Sequence, residues 1–240
     1  MLIKSRAIVL RSISYGDSGL ITRFYTENNG IVTFLIKGAK TGKGKIKSSH
    51  LQALNLVEID YILKQNTKFQ ILKELKCEPV LHEIFSDFRK NMVATYILEL
   101  LNKNLNEEAP NQDLFNFIYN SILYLDLFQN SLANYPIYFS IRFTRFLGFY
   151  PKVDTYYENS VFDLENGIFI PENEINNKIT NSIQAYWIYM FSIASIEELP
   201  EFKLNGDFRR EILELLLKYY RLHTPNMDDF KSLNILTEMV

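Results

Sequence analysis

Cys77 is the only cysteine among 240 residues, and histidine occurs three times. A single thiol permits no disulfide within the chain and no cysteine-based zinc site, and that cysteine usage suits a reducing cytoplasm. His50, His82 and His223 are scattered, with neither HxxEH-like nor His-x-His spacing, so no zinc or iron site is expected. Long apolar runs are missing too. No window reaches the roughly 18 uninterrupted apolar residues that span a bilayer, so no membrane segment is expected. The opening MLIKSRAIVLRS sets Lys4, Arg6 and Arg11 around an apolar core too short for a signal peptide.

The usual catalytic patterns are equally thin. Glu107-Glu108, Glu197-Glu198 and Asp228-Asp229 are adjacent pairs, and neighbours on a helix do not face one way, so they read as solvated turns and helix starts. A glycine- and lysine-rich stretch at 38–47 invites comparison with the phosphate loop GxxxxGK followed by Ser or Thr. Only three residues separate Gly38 from Gly42, Lys43 is followed by Gly44, and no helix follows to offer its N-terminus to phosphate. Cys77, near the end of a β-run, reads as a small filler. No catalytic residue, metal or cofactor is expected.

What the chain does have is charge of one sign in one place. The net charge of −2 conceals 13 Lys/Arg against 6 Asp/Glu in residues 1–80, and 13 against 22 in the remaining 160. The first part carries +7 and the second −9. Within residues 1–50 the imbalance is nine to two, the acids being Asp17 and Glu27. Such asymmetry points to a polyanion-binding module joined to an acidic body.

The basic part reads as β-structure. Period-two runs fall at Ala7–Leu10, Leu20–Tyr25, Ile31–Lys37, Leu54–Leu63 and Phe69–Leu75, with no helical stretch between them. Asn28-Asn29-Gly30 suits a hairpin turn, because Gly30 can take positive φ without strain. Five short strands in about 80 residues predict a five-stranded antiparallel OB-type barrel over 1–79. The tip carrying Lys40, Lys43, Lys45 and Lys47 is too polar to pack, so its lysines are expected to point into water. Phe24 and Phe34 read as barrel core.

Past Pro79 the period changes. Leu81, Phe85, Phe88, Met92, Tyr96 and Leu100 predict one amphipathic helix, and residues 104–111 a loop. Leu114 to Phe128 is a second helix. Pro136 opens a third, which runs to a stop at Gly148. Residues 151–178 form an irregular insert with a hairpin-like FDLENGIF. Helices follow from about Ile179 to Ser195, from a cap at Asn205 to near His223, and after Asp228-Asp229. The expected architecture is α+β in two parts, an OB-type barrel (1–79) and an α-helical bundle (80–240).

Three stretches resemble the RecO family of bacterial recombination mediators. They are AIVLRSISYGDSGLITRFYTENNGIVTFLIKGAK (7–40), FTRFLGFYP (143–151) and YYRLHTPNMDDFKSLNILTEM (219–239). Together they touch both ends and the middle of the chain. One departure stands out: many members carry a four-cysteine zinc module after the Gly-Phe-x-Pro segment, where this chain has VDTYYENSVFDLENGIFIP.

The resemblance implies a protein without catalysis, cytoplasmic and associated with the nucleoid. Such proteins bind single- and double-stranded DNA through the OB-fold, anneal complementary strands, and help load RecA onto strands coated by single-strand-binding protein, usually with RecR. Arg11 and Arg23 would lie on the barrel and Lys37 and Lys40 at its basic run; Lys43, Lys45 and Lys47 extend that run here and are expected DNA contacts from their charge and the flexibility of the tip rather than from the resemblance. The helical part of relatives receives the acidic tail of the single-strand-binding protein. Arg142 and Arg145, at i and i+3, are candidate cations for it, or partners for acids of their own region. Two other readings stay open: a helical adaptor whose basic barrel binds RNA or an acidic protein surface, and a metal-free enzyme.

Overall fold

The computed structural model describes residues 2–41, 44–105, 109–129, 131–172, 178–225 and 227–237. In chain order the strands are β1 (Leu2–Tyr15), β2 (Gly19–Thr26), β3 (Gly30–Ile36), β4 (Leu56–Ile62), β5 (Ile71–Cys77), β6 (Val161–Asp163) and β7 (Ile168–Ile170). The helices are α1 (Glu83–Ser86), α2 (Phe88–Asn104), α3 (Gln112–Leu127), α4 (Tyr135–Leu147), α5 (Ser182–Ile193), α6 (Gly206–His223) and α7 (Ser232–Thr237). They divide into two compact units: Met1–Phe88 with Leu105–Leu127, and Arg89–Asn104 with Phe128–Val240.

The first unit is built on a sheet of order β3-β2-β1-β4-β5, antiparallel at every neighbouring pair. A bridge between Phe34 and Gln70 closes it, the Gln70 amide donating to Thr33 O at 2.9 Å. Strand order and closure are those of an OB-type barrel. Alternate residues turn inward, and Val9, Phe24, Val32, Phe34, Val57 and Tyr61 fill the interior. Phe34 meets Phe24 and Tyr61 edge-on, with ring centroids 5.2 and 5.3 Å apart. Each such buried side chain contributes about 1.5–3 kcal/mol. The β2–β3 turn takes the form its sequence predicts, with Gly30 at φ 58°. Asn29 there accepts a 2.6 Å hydrogen bond from the Tyr61 hydroxyl.

A bulge interrupts β1. Val9 faces Phe24, but the next pair is Arg11 with Arg23, so Leu10 is an extra residue in the ladder. Before the bulge the outward residues are even-numbered: Arg6, and Ile8 opposite Tyr25. After it they are odd-numbered: Arg11, Ile13 and Tyr15. Hydrogen bonds from the Val9 amide to Asn55 O (3.0 Å) and from the Leu54 amide to Val9 O (2.7 Å) hold this register. Leu54 takes φ 68° in doing so, a conformation costly for a residue with a Cβ.

Helix α3 covers the pre-bulge half of this outer face. Tyr25 packs on Phe115 at 5.8 Å. Arg6 donates to both carboxylate oxygens of Glu27 (2.9 and 2.7 Å) and to Asn116 Oδ1 (3.0 Å). Its guanidinium also lies over the rings of Phe115 and Tyr119 at 5.3 and 4.9 Å. Buried Asp126, near the end of α3, accepts from the amides of His82 and Ile84 and so caps α1.

In the second unit, Pro136 and Gly148 bound α4 as their sequence positions predict. Asn181 and Asn205 cap α5 and α6 by accepting from the amides of Gln184 and Phe208, each at 2.8 Å. Tyr96 of α2 and Tyr220 of α6 both reach Ser140 of α4, at 2.8 and 2.7 Å. The FDLENGIF segment forms the β6–β7 hairpin. Its Phe162, Leu164 and Phe169 pack with Ala185, Ile188 and Tyr219, an apolar cluster that anchors the hairpin.

Two expectations need correction. The single helix predicted through Leu81 and Leu100 breaks at Asp87, whose ψ of 120° is extended, leaving the short α1 separate from α2. The final helix begins at Ser232 rather than at Asp228-Asp229. The Glu99 carboxylate accepts from the amides of Lys231 (2.9 Å) and Ser232 (2.7 Å), a cap supplied from α2, 133 positions away.

Candidate nucleic-acid interface

The post-bulge half of the outer face begins with two arginines. Arg11 and Arg23 are directly opposite across β1 and β2, a like-charge pair that an anion between them would relieve. Arg11 is exposed. Arg23 is half-buried and donates through Nη2 to Leu105 O at 2.6 Å. Burial first, and Arg11 second, lower the Arg23 pKa. Arg23 is thus anchored within its own unit, and Arg11 makes no ion pair among the described residues. Next along the face come Ile13 paired with Ile21, itself paired with Leu35, and then exposed Tyr15.

Beyond the Phe34–Gln70 bridge, β3 and β5 diverge. The gap between them is a groove of about 660 Å³. Leu35, Ile36, Ile46, Ile71 and Leu72 form its apolar lining, and Lys37, Lys45, Lys68 and Lys73 bring four cations to it. Each of these lysines is exposed, and none makes an ion pair among the described residues. Phe69 completes the wall. Its ring is 6.4 Å from that of Tyr15, tilted by 59°, and Lys68 Nζ is 5.6 Å from its centroid. The β4–β5 loop is held in shape by Gln70, whose side chain accepts from the Lys64 amide at 2.8 Å and donates to Lys64 O at 3.1 Å. Cations that track a backbone, beside aromatic faces that can meet bases, form the pattern of a single-strand site.

The residues singled out in sequence distribute unevenly. Lys37 and Lys45 line the groove. Lys40 and Lys47 are exposed but outside its lining, and Lys40 Nζ donates to Gly16 O at 3.3 Å. Lys43 lies outside the described residues. The tip is not wholly polar: Ala39 and Ile46 are buried in the barrel core. Lys68, Phe69 and Lys73 were missed in sequence. The available signal was a second basic-aromatic loop, LKQNTKF at 63–69, between the last two predicted strands.

In the helical unit Arg142 and Arg145 part company. Arg142 donates to the Tyr150 hydroxyl at 3.1 Å and to Ala194 O, and its guanidinium lies 5.3 Å from the Tyr138 ring centroid. Arg145, in the last turn of α4, is exposed. Among the described residues no group of three or more His, Cys, Asp or Glu is placed to hold a metal ion. Among them, too, no helix is long and apolar enough to cross a membrane.

Comparison with known proteins agrees with this architecture. Residues 1–79 match the family model for the Recombination protein O N terminal, and residues 85–233 the model for its C terminal. The chain is 32% identical over 240 residues to DNA repair protein RecO of Bacteroides fragilis, covering 100% of this chain and 99% of that one. It is 30% identical over 239 residues to the protein of the same name from Phocaeicola vulgatus, again over 100% and 99% of the two chains. For that of Christiangramia forsetii the identity is 31% over 240 residues, with the same coverage. With both family models matched and full-length relatives at this identity, the chain belongs to the RecO family.

Proposed function

We propose that this protein acts in DNA repair and recombination as a strand-annealing mediator. The barrel groove holds single-stranded DNA, and the protein helps RecA load onto strands coated by single-strand-binding protein. The observation that carries the reading is the convergence of Lys37, Lys45, Lys68 and Lys73 on one groove walled by Phe69. A single strand laid there would have its phosphates neutralised by four cations that give up no ion pair. Neutralising two strands removes the repulsion that slows their pairing, so the reading assigns no catalytic step. Arg11 and Arg23, with Lys40 and Lys47, take duplex DNA or a second strand, a role that the charge of Lys43 also suits.

The 1–79 region is then the DNA-binding domain and 80–240 the region that meets protein partners, RecR among them. Arg145 is the candidate cation for the acidic tail of single-strand-binding protein, with Arg142 holding the end of α5 in place beside it. The test is annealing of complementary oligonucleotides coated by the cognate single-strand-binding protein. The wild type should accelerate pairing, and a variant with Lys37, Lys45, Lys68 and Lys73 changed to Ala should not. Equal acceleration by both would remove the groove from the mechanism.

A further inference from the structure

Helix α5 is apolar on two opposite faces. Ala185, Ile188, Phe191 and Ser192 are buried on one. The other carries Ile183, Tyr186, Trp187, Met190 and Ile193, at spacings of three, one, three and three, which trace a single stripe along the helix. Ile183 is 62% exposed, Ile193 49% and Tyr186 41%, while Met190 and Trp187 are half-buried, Trp187 against the Phe202 ring at 5.4 Å. A helix apolar all round is normally enclosed, and an exposed apolar stripe marks an interaction surface.

The charge around the stripe says what fits it. None of the twelve residues of α5 is charged. Residues 151–201, which include it, hold two lysines against nine Asp/Glu, most of the −9 of residues 80–240. Glu158 is exposed. Burial, then Tyr186 and Glu158, raise the pKa of the Tyr156 hydroxyl, which places those groups together. Glu211 accepts from Gln184 at 2.5 Å, and Glu197 and Glu198 follow just beyond the helix end.

We propose that the outer face of α5 docks a basic amphipathic helix of a partner protein. Apolar residues of that helix lie along the stripe, and its lysines or arginines meet the acidic rim. From Ile183 to Ile193 the stripe runs about 15 Å, enough for about three turns of an apposed helix. A second copy fits less well, because an isologous contact would press two segments of net −7 together. An anionic membrane fits less well too, since α5 brings no cation to headgroups. The stripe shares no residue with the groove lined by Lys37, Lys45, Lys68 and Lys73, and the proposal is independent of the reading given for that groove.

Trp187, the only tryptophan, is a built-in probe of this surface. The experiment titrates the full-length protein with a helical Leu/Lys peptide, the matching Leu/Glu peptide, and phosphatidylglycerol vesicles, following Trp187 emission. The Leu/Lys peptide should give a saturable blue shift and the other two should give none. An Ile183→Lys/Ile193→Lys double variant changes only exposed positions. It should bind the peptide about tenfold or more weakly while keeping the wild-type melting temperature and oligonucleotide affinity. A triple Glu158→Gln, Glu197→Gln, Glu198→Gln variant should weaken binding and reduce its salt dependence. No saturable shift, an equal response to both peptides, or undiminished affinity in the double variant would overturn the proposal. So would a shift caused by vesicles, or by raising protein concentration alone.

Discussion

Removing the four groove lysines should change how DNA affinity depends on salt, beyond weakening it. Lys37, Lys45, Lys68 and Lys73 line the groove and make no ion pair among the described residues, so each is available to displace one condensed counterion. Each phosphate contact on a single strand contributes about 0.7 to the slope of log K against log salt, so losing four should flatten it by about 3. Between 50 and 200 mM salt that difference amounts to roughly a 50-fold change in relative affinity. The assay is fluorescence anisotropy with a labelled oligo-dT over a salt series, comparing wild type, the quadruple Ala variant, and a control with Lys152→Ala and Arg210→Ala in the helical unit. Melting curves check that the barrel is intact. If the quadruple variant binds more weakly by the same factor at every salt concentration, the lysines do not contact phosphate and the groove assignment fails. If the control flattens the slope equally, the effect belongs to net charge rather than to this site.

Other perturbations probe different parts of the structure. Phe69→Ala should weaken single-strand binding by about 1–3 kcal/mol while leaving the salt slope unchanged, because a stacking face and no charge is lost; anisotropy reads both. Arg145→Ala should weaken binding of an acidic tail peptide with an unchanged melting temperature, whereas Arg142→Ala should lower the melting temperature, because Arg142 ties α4 to Tyr150 and the Ala194 carbonyl. Hydrogen bonds from Arg6 hold the Glu27 carboxyl below its usual pKa, so its contribution is present above the ordinary carboxylate range and lost as pH falls through the depressed value. Chemical denaturation should therefore show the stability gap between wild type and Glu27→Gln widest near neutrality and closing in acid. Gly167→Ala should destabilise the helical unit by about 1 kcal/mol or more in a thermal melt. The residue holds φ 67°, and an added Cβ would lie 2.7 Å from the Tyr219 hydroxyl.

Local chemistry made much of the fold readable. Alternation located the barrel strands, Gly30 their first turn, and Pro136, Gly148 and Asn205 the helix ends, because each is decided within a few residues. What escaped was decided at a distance. Arg23 looked like a free cation in sequence, yet its guanidinium is anchored by a carbonyl 82 positions away. The start of α7 depends on Glu99 rather than on the adjacent aspartates. Half of the groove's cations come from the far side of the barrel closure, where β5 approaches β3 across more than thirty residues of chain. Charge counted along the first fifty residues could not include them. Arg142 and Arg145, one helical turn apart, face different surroundings that only the packing of α4 against its neighbours determines.

The extra residue at Leu10 lets one strand serve two clients. Ahead of it, outward Arg6 holds α3 through Asn116, and Ile8 lies opposite Tyr25, which packs on Phe115; behind it, outward Arg11, Ile13 and Tyr15 are exposed. In an unbroken strand the period of two would give Arg11, Ile13 and Tyr15 the inward parity of Ala7 and Val9. Deleting Leu10 would restore a regular ladder with Val9 inward and Arg11 still outward, whereas pairing Leu10 with Arg23 would turn every residue from Arg11 to Tyr15 the other way.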